Sequence, residues 1–461
     1  MPHFEDNLDA FKAAFRGEVI EKGGARYDEA RSLYNGMIDK KPLVIARVAD
    51  VADVIAAVKL GRQNELRVAI RGGGHSGPGF GSCDDGLMID LSLLKGVRVD
   101  PAARTIRVEP GCTQAQVDHA AHPFGLAVPA GIVGSTGVAG LTLGGGHGYL
   151  SRAHGLTIDN LLEADVVLAD GRFVTASATE NPDLFWALRG GGGNFGVVTS
   201  FLFRAAPVSM VYGGPVFWDM KDAGQVLRAW RDFVPKAPEN LFPFVGLKTV
   251  PPTAPFPEEH WGKKAVCVIS CFNGAAAEGE ALMAPLLKGL PPPLFNWLGE
   301  MPFPALQTLF DPLLPKGLQW YWKGDFVKEL SDGAIAAHIE HASKSPSGMC
   351  LTHLYPIDGA VHRVGPEETP WSARTANFSM VIAAVDPDPK NAPALKAWGR
   401  AYWEAVHPFN MAGAYVNFMD ADENEGRIQA TYGANYPRLA EIKKKYDPAN
   451  FFRVNQNIRP A

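Results

Sequence analysis

Two glycine-rich segments constrain the fold of this chain most strongly. The first, RGGGHSGPG at residues 71–79, lies between the strand patterns RVAIRG and GLMIDLS, and the second covers residues 131–148. Glycine has no Cβ, so consecutive glycines let backbone N–H groups approach an anionic ligand such as a phosphate. Either segment alone could be a tight turn. Together, in a chain without a Walker motif, they predict a dinucleotide held in an unusual fold.

A third glycine cluster, at residues 190–196, matches the spelling of the dinucleotide fingerprint GxGxxG. That fingerprint requires a strand before it and a helix after it, so that the pyrophosphate meets the helix N-terminus. Here a helix pattern, NPDLFWALRG, comes first and a strand pattern, VVTSFLFRA, follows. We therefore interpret the cluster as a helix-to-strand loop that could contact a cofactor, and not as a Rossmann site.

Two other kinds of site are disfavoured by the motifs present. The segment GHSGP, around Ser76, lacks the closing glycine of the nucleophile elbow GxSxG. The histidine pairs His119/His122 and His338/His341 have helical spacing but no convincing third ligand. We therefore predict neither a serine hydrolase nor a metal site.

Length and composition restrict the class of protein further. A chain of 461 residues predicts two domains. The net charge is -5 and no basic run is present, which argues against a nucleic-acid partner. No apolar run reaches the roughly 18 residues of a membrane span, and the first residues, MPHFEDNLDAFKAAFRGEV, lack the apolar core of a signal peptide. The five scattered cysteines are odd in number, so we expect a cytoplasmic protein with reduced thiols.

The pattern of predicted elements changes near residue 206. Before it, strands and helices alternate, and a hairpin is predicted at Asp170–Gly171. Residues 207 to about 410 are richer in aromatic residues and proline, and they predict an antiparallel sheet with helices on one face. The last residues contain a helix, a turn at Asp447–Pro448 and a polar end. This organisation predicts an α+β fold.

Four separated motifs carry a resemblance to a known family. They are RVAIRGGGHSGPGFGSCDDGLMIDLSLL, GGGHGYLSRAHGLTIDNLLEADVVLADG, DLFWALRGGGGNFGVVTSF and YDPANFFRVNQNI. In this order they resemble the FAD-linked oxidases of the berberine-bridge-enzyme type, within the vanillyl-alcohol-oxidase (p-cresol methylhydroxylase) superfamily. The resemblance covers most of residues 40–205 and 410–460. It implies a split FAD-binding domain, at 1–206 and 411–461, and a substrate-binding domain at 207–410.

The resemblance also implies a covalent flavin. His75 corresponds to the histidine that bonds the 8α-methyl of FAD, a role that suits a neutral, nucleophilic imidazole. Many members add a second bond through a cysteine eleven residues before the second GGG. That position is Val133 here, so we expect one bond, as in the 6-hydroxynicotine-oxidase-like members. The residues implied to bind FAD are Arg71, Gly72, Gly73, Gly74, His75, Ser76, Gly77, Gly134, Ser135, Gly137, Gly140, Gly144, Gly145, Gly148, Val198, Asn417, Asn455 and Asn457.

The implied reaction is the oxidation of an alcohol, sugar or amine, with hydride transfer to the flavin and dioxygen or another acceptor taking the electrons. The catalytic base of plant members is a Glu or Gln at the position of Val381. Tyr415, Tyr432 and His147 are therefore the candidates for acid–base chemistry, and a tyrosine base needs a neighbouring cation to lower its pKa. Two alternatives stay open: amine oxidation or oxidative ring closure in secondary metabolism, and a catalytically silent flavin-binding protein.

Overall fold

A four-stranded sheet opens the fold, in the order β1-β2-β4-β3. The computed structural model describes residues 4–461. β2, β4 and β3 run parallel, and β4, whose residues are all buried, is covered on both sides as parallel strands usually are. The elements of this part are α1 (Phe4–Ala14), β1 (Glu18–Glu21), α2 (Tyr27–Arg31), β2 (Val44–Arg47), α3 (Val51–Gln63), β3 (Val68–Arg71) and β4 (Leu87–Asp90). The first glycine segment follows the carboxyl end of β3, an edge at which parallel sheets commonly bind ligands.

The second sheet is antiparallel, in the order β5-β6-β10-β8-β9. Its elements are β5 (Val97–Asp100), β6 (Thr105–Val108), α4 (Gln114–Ala121), β7 (Leu126–Ala127), α5 (Val138–Gly144), α6 (Ser151–His154), β8 (Leu161–Val167), β9 (Phe173–Ser177), α7 (Pro182–Leu188) and β10 (Val197–Arg204). The pairing of β8 with β9 confirms the hairpin predicted at Asp170–Gly171. The third glycine cluster lies after α7 and before β10, which confirms the helix-to-strand interpretation.

The third sheet is larger and antiparallel, in the order β15-β12-β14-β13-β18-β19-β17, with β16 beside β12. Its elements are β11 (Ala206–Pro207), β12 (Met210–Asp219), α8 (Ala223–Phe233), β13 (Leu241–Thr249), β14 (Lys264–Phe272), α9 (Ala276–Lys288), β15 (Phe295–Asn296), β16 (Gly299–Pro302), α10 (Phe303–Gln307), β17 (Gln319–Val327), α11 (Asp332–Ser343), β18 (Leu351–Pro356), β19 (Phe378–Asp386) and α12 (Ala392–Val406). The short pair β11–β7 lies outside this sheet.

Side-chain alternation divides the third sheet into two faces. One face packs with α8, α9, α11 and α12 into a core that includes Trp230 and Tyr402. The opposite face carries Phe244, Tyr355 and Val381 and packs toward Tyr149, which directly follows the second glycine segment. The sequence prediction of helices on one face of an antiparallel sheet is therefore confirmed, and the other face is left to line a site.

The end of the chain returns to the second sheet. Helices α13 (Glu425–Tyr432) and α14 (Tyr436–Tyr446) contribute Tyr432, Leu439 and Tyr446 to the core beneath that sheet. The result is a two-domain α+β fold, although the domain limits at 206/207 and 410/411 stay a prediction. Across residues 4–461, no helix is both long enough and apolar enough to cross a lipid bilayer.

Candidate active site

A cavity of about 380 Å³ lies between the glycine segments and the open face of the third sheet. Many of the residues predicted from the sequence to bind the cofactor or take part in catalysis line it. They are Gly72, Gly73, Gly74, His75, Ser76, Gly137, Gly140, His147, Val198, Tyr415, Asn417, Tyr432 and Asn455. The fold therefore gathers residues from the first glycine segment, the second one and the chain end around one space.

The remaining predicted cofactor residues do not line the cavity. They are Arg71, Gly77, Gly134, Ser135, Gly144, Gly145, Gly148 and Asn457. Arg71 donates to the Ala30 carbonyl at 2.5 Å. Gly148 packs so closely on the Ala130 carbonyl that a Cβ there would overlap it. Arg71 and Gly148 therefore contact neighbouring backbone and not the cavity.

The two glycine segments touch each other through Gly73 and Gly137. A Cβ on Gly73 would lie 2.4 Å from the Gly137 Cα, which no side chain could occupy without moving the backbone. Gly137 is also bridged to Thr113, at the start of α4. Glycine is therefore required here for the contact between loops as well as for access to a ligand.

His75 is held by two neighbours in a defined orientation. The Tyr34 ring stacks on the imidazole with a centroid distance of 3.9 Å and an interplanar angle of 16°. Ser135 Oγ lies 3.1 Å from His75 Nε2. Burial lowers the pKa of His75 to about 4, so the ring is neutral near pH 7 and its nitrogen lone pair is available. Nδ1 is left free of this contact.

The segment around Tyr34 was missed by sequence reasoning. The Tyr34 backbone N–H donates to the Gly74 carbonyl at 3.1 Å. Asn35 Nδ2 donates to the Gly77 carbonyl at 2.7 Å and to the Trp320 carbonyl at 2.9 Å. Residues 34 and 35 therefore tie the first glycine segment to β17. No local pattern in the sequence marks them, because their role depends on contacts with distant backbone.

His147 and Tyr415 form a buried aromatic cluster. Their ring centroids lie 4.8 Å apart, and Phe418 and Tyr355 contact the same histidine. Within the described chain neither ring nitrogen of His147 has a hydrogen-bond partner, and burial lowers its pKa to about 3. A buried imidazole without partners is costly. Since His147 also lines the cavity, a bound molecule is a candidate partner for it.

The two tyrosine candidates lack the cation that a tyrosine base needs. The Tyr415 oxygen accepts hydrogen bonds from Asn417 Nδ2 at 2.7 Å and from the Gly146 N–H at 3.1 Å. Both bonds favour the phenolate, but burial outweighs them and raises the pKa of Tyr415 to about 12. Burial also raises the pKa of Tyr432 above its usual range. Among the described residues, no lysine or arginine lies close enough to either hydroxyl to lower its pKa.

The open face of the third sheet supplies polar groups that sequence reasoning missed. Val381, at the position of the family base, pairs directly across the sheet with His353 of β18. His353 Nδ1 lies 2.6 Å from the Tyr355 hydroxyl, and burial lowers the pKa of His353 to about 3. The hydroxyl donates this hydrogen bond when the proton of the neutral imidazole is on Nε2. Lys248, on β13, lies on the same face and lines the same cavity.

A signal for these residues exists in the strand patterns. His353 and Tyr355 alternate with the buried Thr352 and Leu354 in LTHLYP, and Lys248 ends the apolar run of β13. The alternation indicates that His353 and Tyr355 share a face. It does not indicate that this face meets the glycine segments, which depends on how the third sheet packs.

Comparison with known proteins identifies the family to which the chain belongs. Residues 42–177 match the family model described as an FAD binding domain. Residues 414–459 match the model described as berberine and berberine like. An FAD-linked oxidoreductase of Dictyostelium discoideum is 31% identical over 460 residues, covering 98% of this chain and 97% of that protein.

The chain belongs to the berberine-bridge-type FAD-linked oxidoreductases. Within this family, (R)-6-hydroxynicotine oxidase of Paenarthrobacter nicotinovorans is 27% identical, with 97% of each chain covered. The solved structure of the wild-type berberine-bridge-enzyme-like protein 1 of Physcomitrella patens has a TM-score of 0.87 at 26% identity, covering 98% of this chain and 99% of that one. A xylooligosaccharide oxidase from Myceliophthora thermophila has the same fold, with a TM-score of 0.86 at 24% identity over 99% of each chain.

The cavity of this family member suits FAD. Gly72–Gly74, Gly137 and Gly140 present bare backbone along one wall, next to the ring of His75. Asn455 faces the same space, and its buried Oδ1 has no partner in the part of the chain that the structure describes. An unpaired buried acceptor beside a glycine wall fits a ligand that donates N–H groups, as an isoalloxazine does. The flavin-binding roles of individual residues stay a prediction.

Proposed function

We propose that this protein carries FAD bonded covalently to His75 alone and oxidises a small molecule at a carbon that bears a hydroxyl or amino group. The observation that carries the proposal is the geometry of His75. Its ring is neutral, stacked on Tyr34 and fixed at Nε2 by Ser135, so that Nδ1 is free for a bond. Val133 stands where a second bond would need a cysteine.

Bound FAD supplies the two-electron acceptor for a hydride from the substrate carbon, and dioxygen or another acceptor then takes the electrons. The heteroatom on that carbon must lose a proton in the same oxidation. Burial raises the pKa of Tyr355 above its usual range, so its hydroxyl stays protonated. We propose that Tyr355 receives the substrate proton only as it passes its own to His353, to which it is hydrogen-bonded at 2.6 Å. His147, Tyr415 and Tyr432 stay candidates for orienting the substrate or sharing this role, since all three line the cavity.

Acid precipitation tests the covalent bond. We expect the precipitated wild-type protein to stay yellow and His75→Ala to release its flavin into the supernatant. The matched control is His119→Ala, because His119 is exposed on α4 and should leave the bond intact. Release of all flavin from the wild-type protein would contradict the proposal.

Anaerobic mixing tests the oxidation. Alcohols, sugars and amines are added to the oxidised protein, and a substrate is identified by bleaching of the flavin absorbance. Readmission of air then shows whether dioxygen restores the colour. A flavin that no compound of any of the three classes reduces would favour the silent flavin-binding alternative.

We also propose a cytoplasmic location. All five cysteines are buried and free in the described chain, as expected where thiols are kept reduced. Cell fractionation of the source organism with an antibody to the protein tests this point, and recovery outside the cytoplasm would contradict it.

A further inference from the structure

The side of the cavity that the third sheet lines, which we call the substrate end, has an unusual charge distribution. Among the described residues that line the cavity there is no Asp or Glu. Its three histidines, His75, His147 and His353, are held neutral because burial lowers the pKa of the first to about 4 and of the other two to about 3. Lys248 is therefore the one group among these described lining residues that can carry a positive charge near pH 7, and burial lowers its pKa.

Lys248 has no anionic partner within residues 4–461. No carboxylate lies within salt-bridge distance of its ammonium, and its recorded contact is with the ring of Phe310, at 5.8 Å from Nζ to the centroid. Burial lowers the pKa of this lysine, and the neighbouring Cys267 on β14 opposes that shift. A partly buried ammonium without a counter-ion is unfavourable, and an anion bound beside it would remove that cost.

The surroundings of Lys248 are apolar and aromatic. The cavity wall on this side is formed by Phe217, Phe244, Ile269, Phe310, Trp320 and Trp322. The polar groups on this wall are the indole N–H groups of Trp320 and Trp322, which have no partner among the described residues. A molecule with many hydroxyl groups would therefore leave several of them without partners, and each unpaired buried hydroxyl costs roughly 1–3 kcal/mol. A flat apolar molecule with one charged group matches the wall and the lysine together.

The position of Lys248 relative to the proton-accepting pair supports this match. Lys248 pairs across the sheet with Leu351, and His353 is two residues further along β18 on the same face. Diagonal neighbours of this kind have Cα atoms roughly 7–8 Å apart. Tyr355 is the next residue of β18 on this face and lies nearer the glycine segments. Its ring centroid is 5.1 Å from that of His147. A bound molecule can thus contact Lys248 at one end and the flavin side of the cavity at the other.

We propose that Lys248 is a substrate-recognition residue and that the substrate is a flat, largely apolar molecule carrying one anionic oxygen group, a carboxylate or a phenolate. This inference rests on the proposed oxidation and names its substrate class. The anionic group pairs with Lys248, the apolar body lies on the aromatic wall, and the oxidisable carbon lies beside Tyr355 and His147.

Calorimetric titration of the holoprotein with 2-naphthoate and its uncharged isostere 2-naphthamide tests the inference. Neither probe has an oxidisable C–H group of the required kind, so binding is measured without turnover. We expect 2-naphthoate to bind about ten- to hundredfold more tightly than 2-naphthamide, as for a charged hydrogen bond. Lys248→Met should remove this preference, Lys248→Arg should keep most of it, and Lys288→Met, at an exposed lysine on α9, should not change it.

Equal affinity of the wild-type protein for the two probes would overturn the inference, as would a Lys248→Met variant that keeps the preference. The comparison of probes on the wild-type protein decides the matter even where a variant fails to fold. The outcome is separable from that of the proposed function. A protein that holds flavin through acid precipitation but does not prefer 2-naphthoate loses only the Lys248 assignment, whereas a protein without bonded flavin loses the covalent assignment.

Discussion

His75 shows how a few neighbours turn a common residue into a specific chemical group. Its imidazole is neutral because burial lowers its pKa to about 4, and its orientation follows from Tyr34 on one side and Ser135 on the other. The same burial keeps His147 and His353 neutral. The described lining of the cavity thus combines neutral imidazoles with one lysine, Lys248. This arrangement is suited to proton transfer that does not depend strongly on histidine protonation near pH 7.

Asp118 provides a prediction about pH and stability. It is buried on α4, its Oδ2 has no hydrogen-bond partner within residues 4–461, and burial raises its pKa from 3.8 to about 8. Between about pH 4 and pH 8 the folded state keeps a proton that the unfolded state has lost. Stability should therefore fall as the pH rises through this window, by about 1.4 kcal/mol per pH unit from this group alone.

Asp118→Asn should remove this contribution, and its free energy of unfolding should exceed that of the wild-type protein by the largest amount at pH 8. Denaturant titrations at pH 5 and pH 8 measure the difference. Asp6→Asn, at an exposed residue of α1, is the control and should follow the wild-type protein. An Asp118→Asn variant with an unchanged pH dependence would show that Asp118 is ionised in the folded state.

The strands of the third sheet carry the polar pair that replaces the missing family base. Val381 of β19 has no ionisable group, but His353 lies directly opposite on β18. Gly246 of β13 is the partner on the other side, and a Cβ there would lie 3.0 Å from both the His353 ring and the Cys267 sulfur. A glycine on one strand thus makes room for the imidazole on the next.

Tyr355→Phe tests this pair. It removes the hydroxyl that is hydrogen-bonded to His353 while keeping the ring, so it should slow flavin reduction by about 10²- to 10⁴-fold, the usual contribution of a general base. Flavin content should not change. Stopped-flow absorbance with a substrate from the anaerobic screen measures the rate, and Tyr212→Phe on β12, at a residue that does not line the cavity, is the control. An unchanged reduction rate would exclude Tyr355 as the proton acceptor.

The contact between the glycine segments gives a second prediction about local structure. Gly73→Ala would place a Cβ 2.4 Å from the Gly137 Cα, so the two loops must separate. We expect a loss of about 1–3 kcal/mol in the free energy of unfolding, as for other overpacked sites, together with lower flavin content. Gly299→Ala is the control, because a Cβ there meets no atom within 4 Å. A Gly73→Ala variant with normal stability and flavin content would contradict the close contact.

Buried ion pairs join distant parts of the chain. Arg374 binds Asp159 through two hydrogen bonds of 2.7 and 2.8 Å. Lys443 pairs with Asp447 at 2.6 Å, and both side chains are fully buried. Lys443 also donates to the Asn194 and Phe452 carbonyls, so this pair connects the third glycine cluster to the chain end that carries Asn455.

Lys443→Met should destabilise the protein strongly because it leaves the Asp447 carboxylate buried without its cation. Losses of about 3–5 kcal/mol are typical when one partner of a buried pair is removed. Thermal and denaturant unfolding measure the effect, and Lys444→Met, at the exposed neighbour, should be nearly neutral. Equal stability of the two variants would show that the buried pair does not hold the chain end.

Much of the site follows from residue types and spacing alone. Absence of a Cβ makes the glycine segments accessible to a ligand wherever they fold, which predicts a bound dinucleotide. The FAD family itself is implied by the resemblance of four separate motifs to that family. The sheet with helices on one face also follows from the sequence, since strand alternation and helical periodicity are local properties. The helix-to-strand order around the third glycine cluster likewise depends on adjacent residues only.

Packing decided which side chains meet the cavity. Gly246 and His353 are paired across the sheet although more than a hundred residues separate them, and Lys248 could not be distinguished from a surface lysine until that pairing was known. Tyr34 and Asn35 support His75 through contacts with backbone from other elements. Burial, which sets the charge of His75, His147 and Asp118, is likewise a property of the assembled layers. Local sequence therefore specified a cofactor class, whereas the electrostatics of the substrate end arise only when the third sheet closes over the glycine segments.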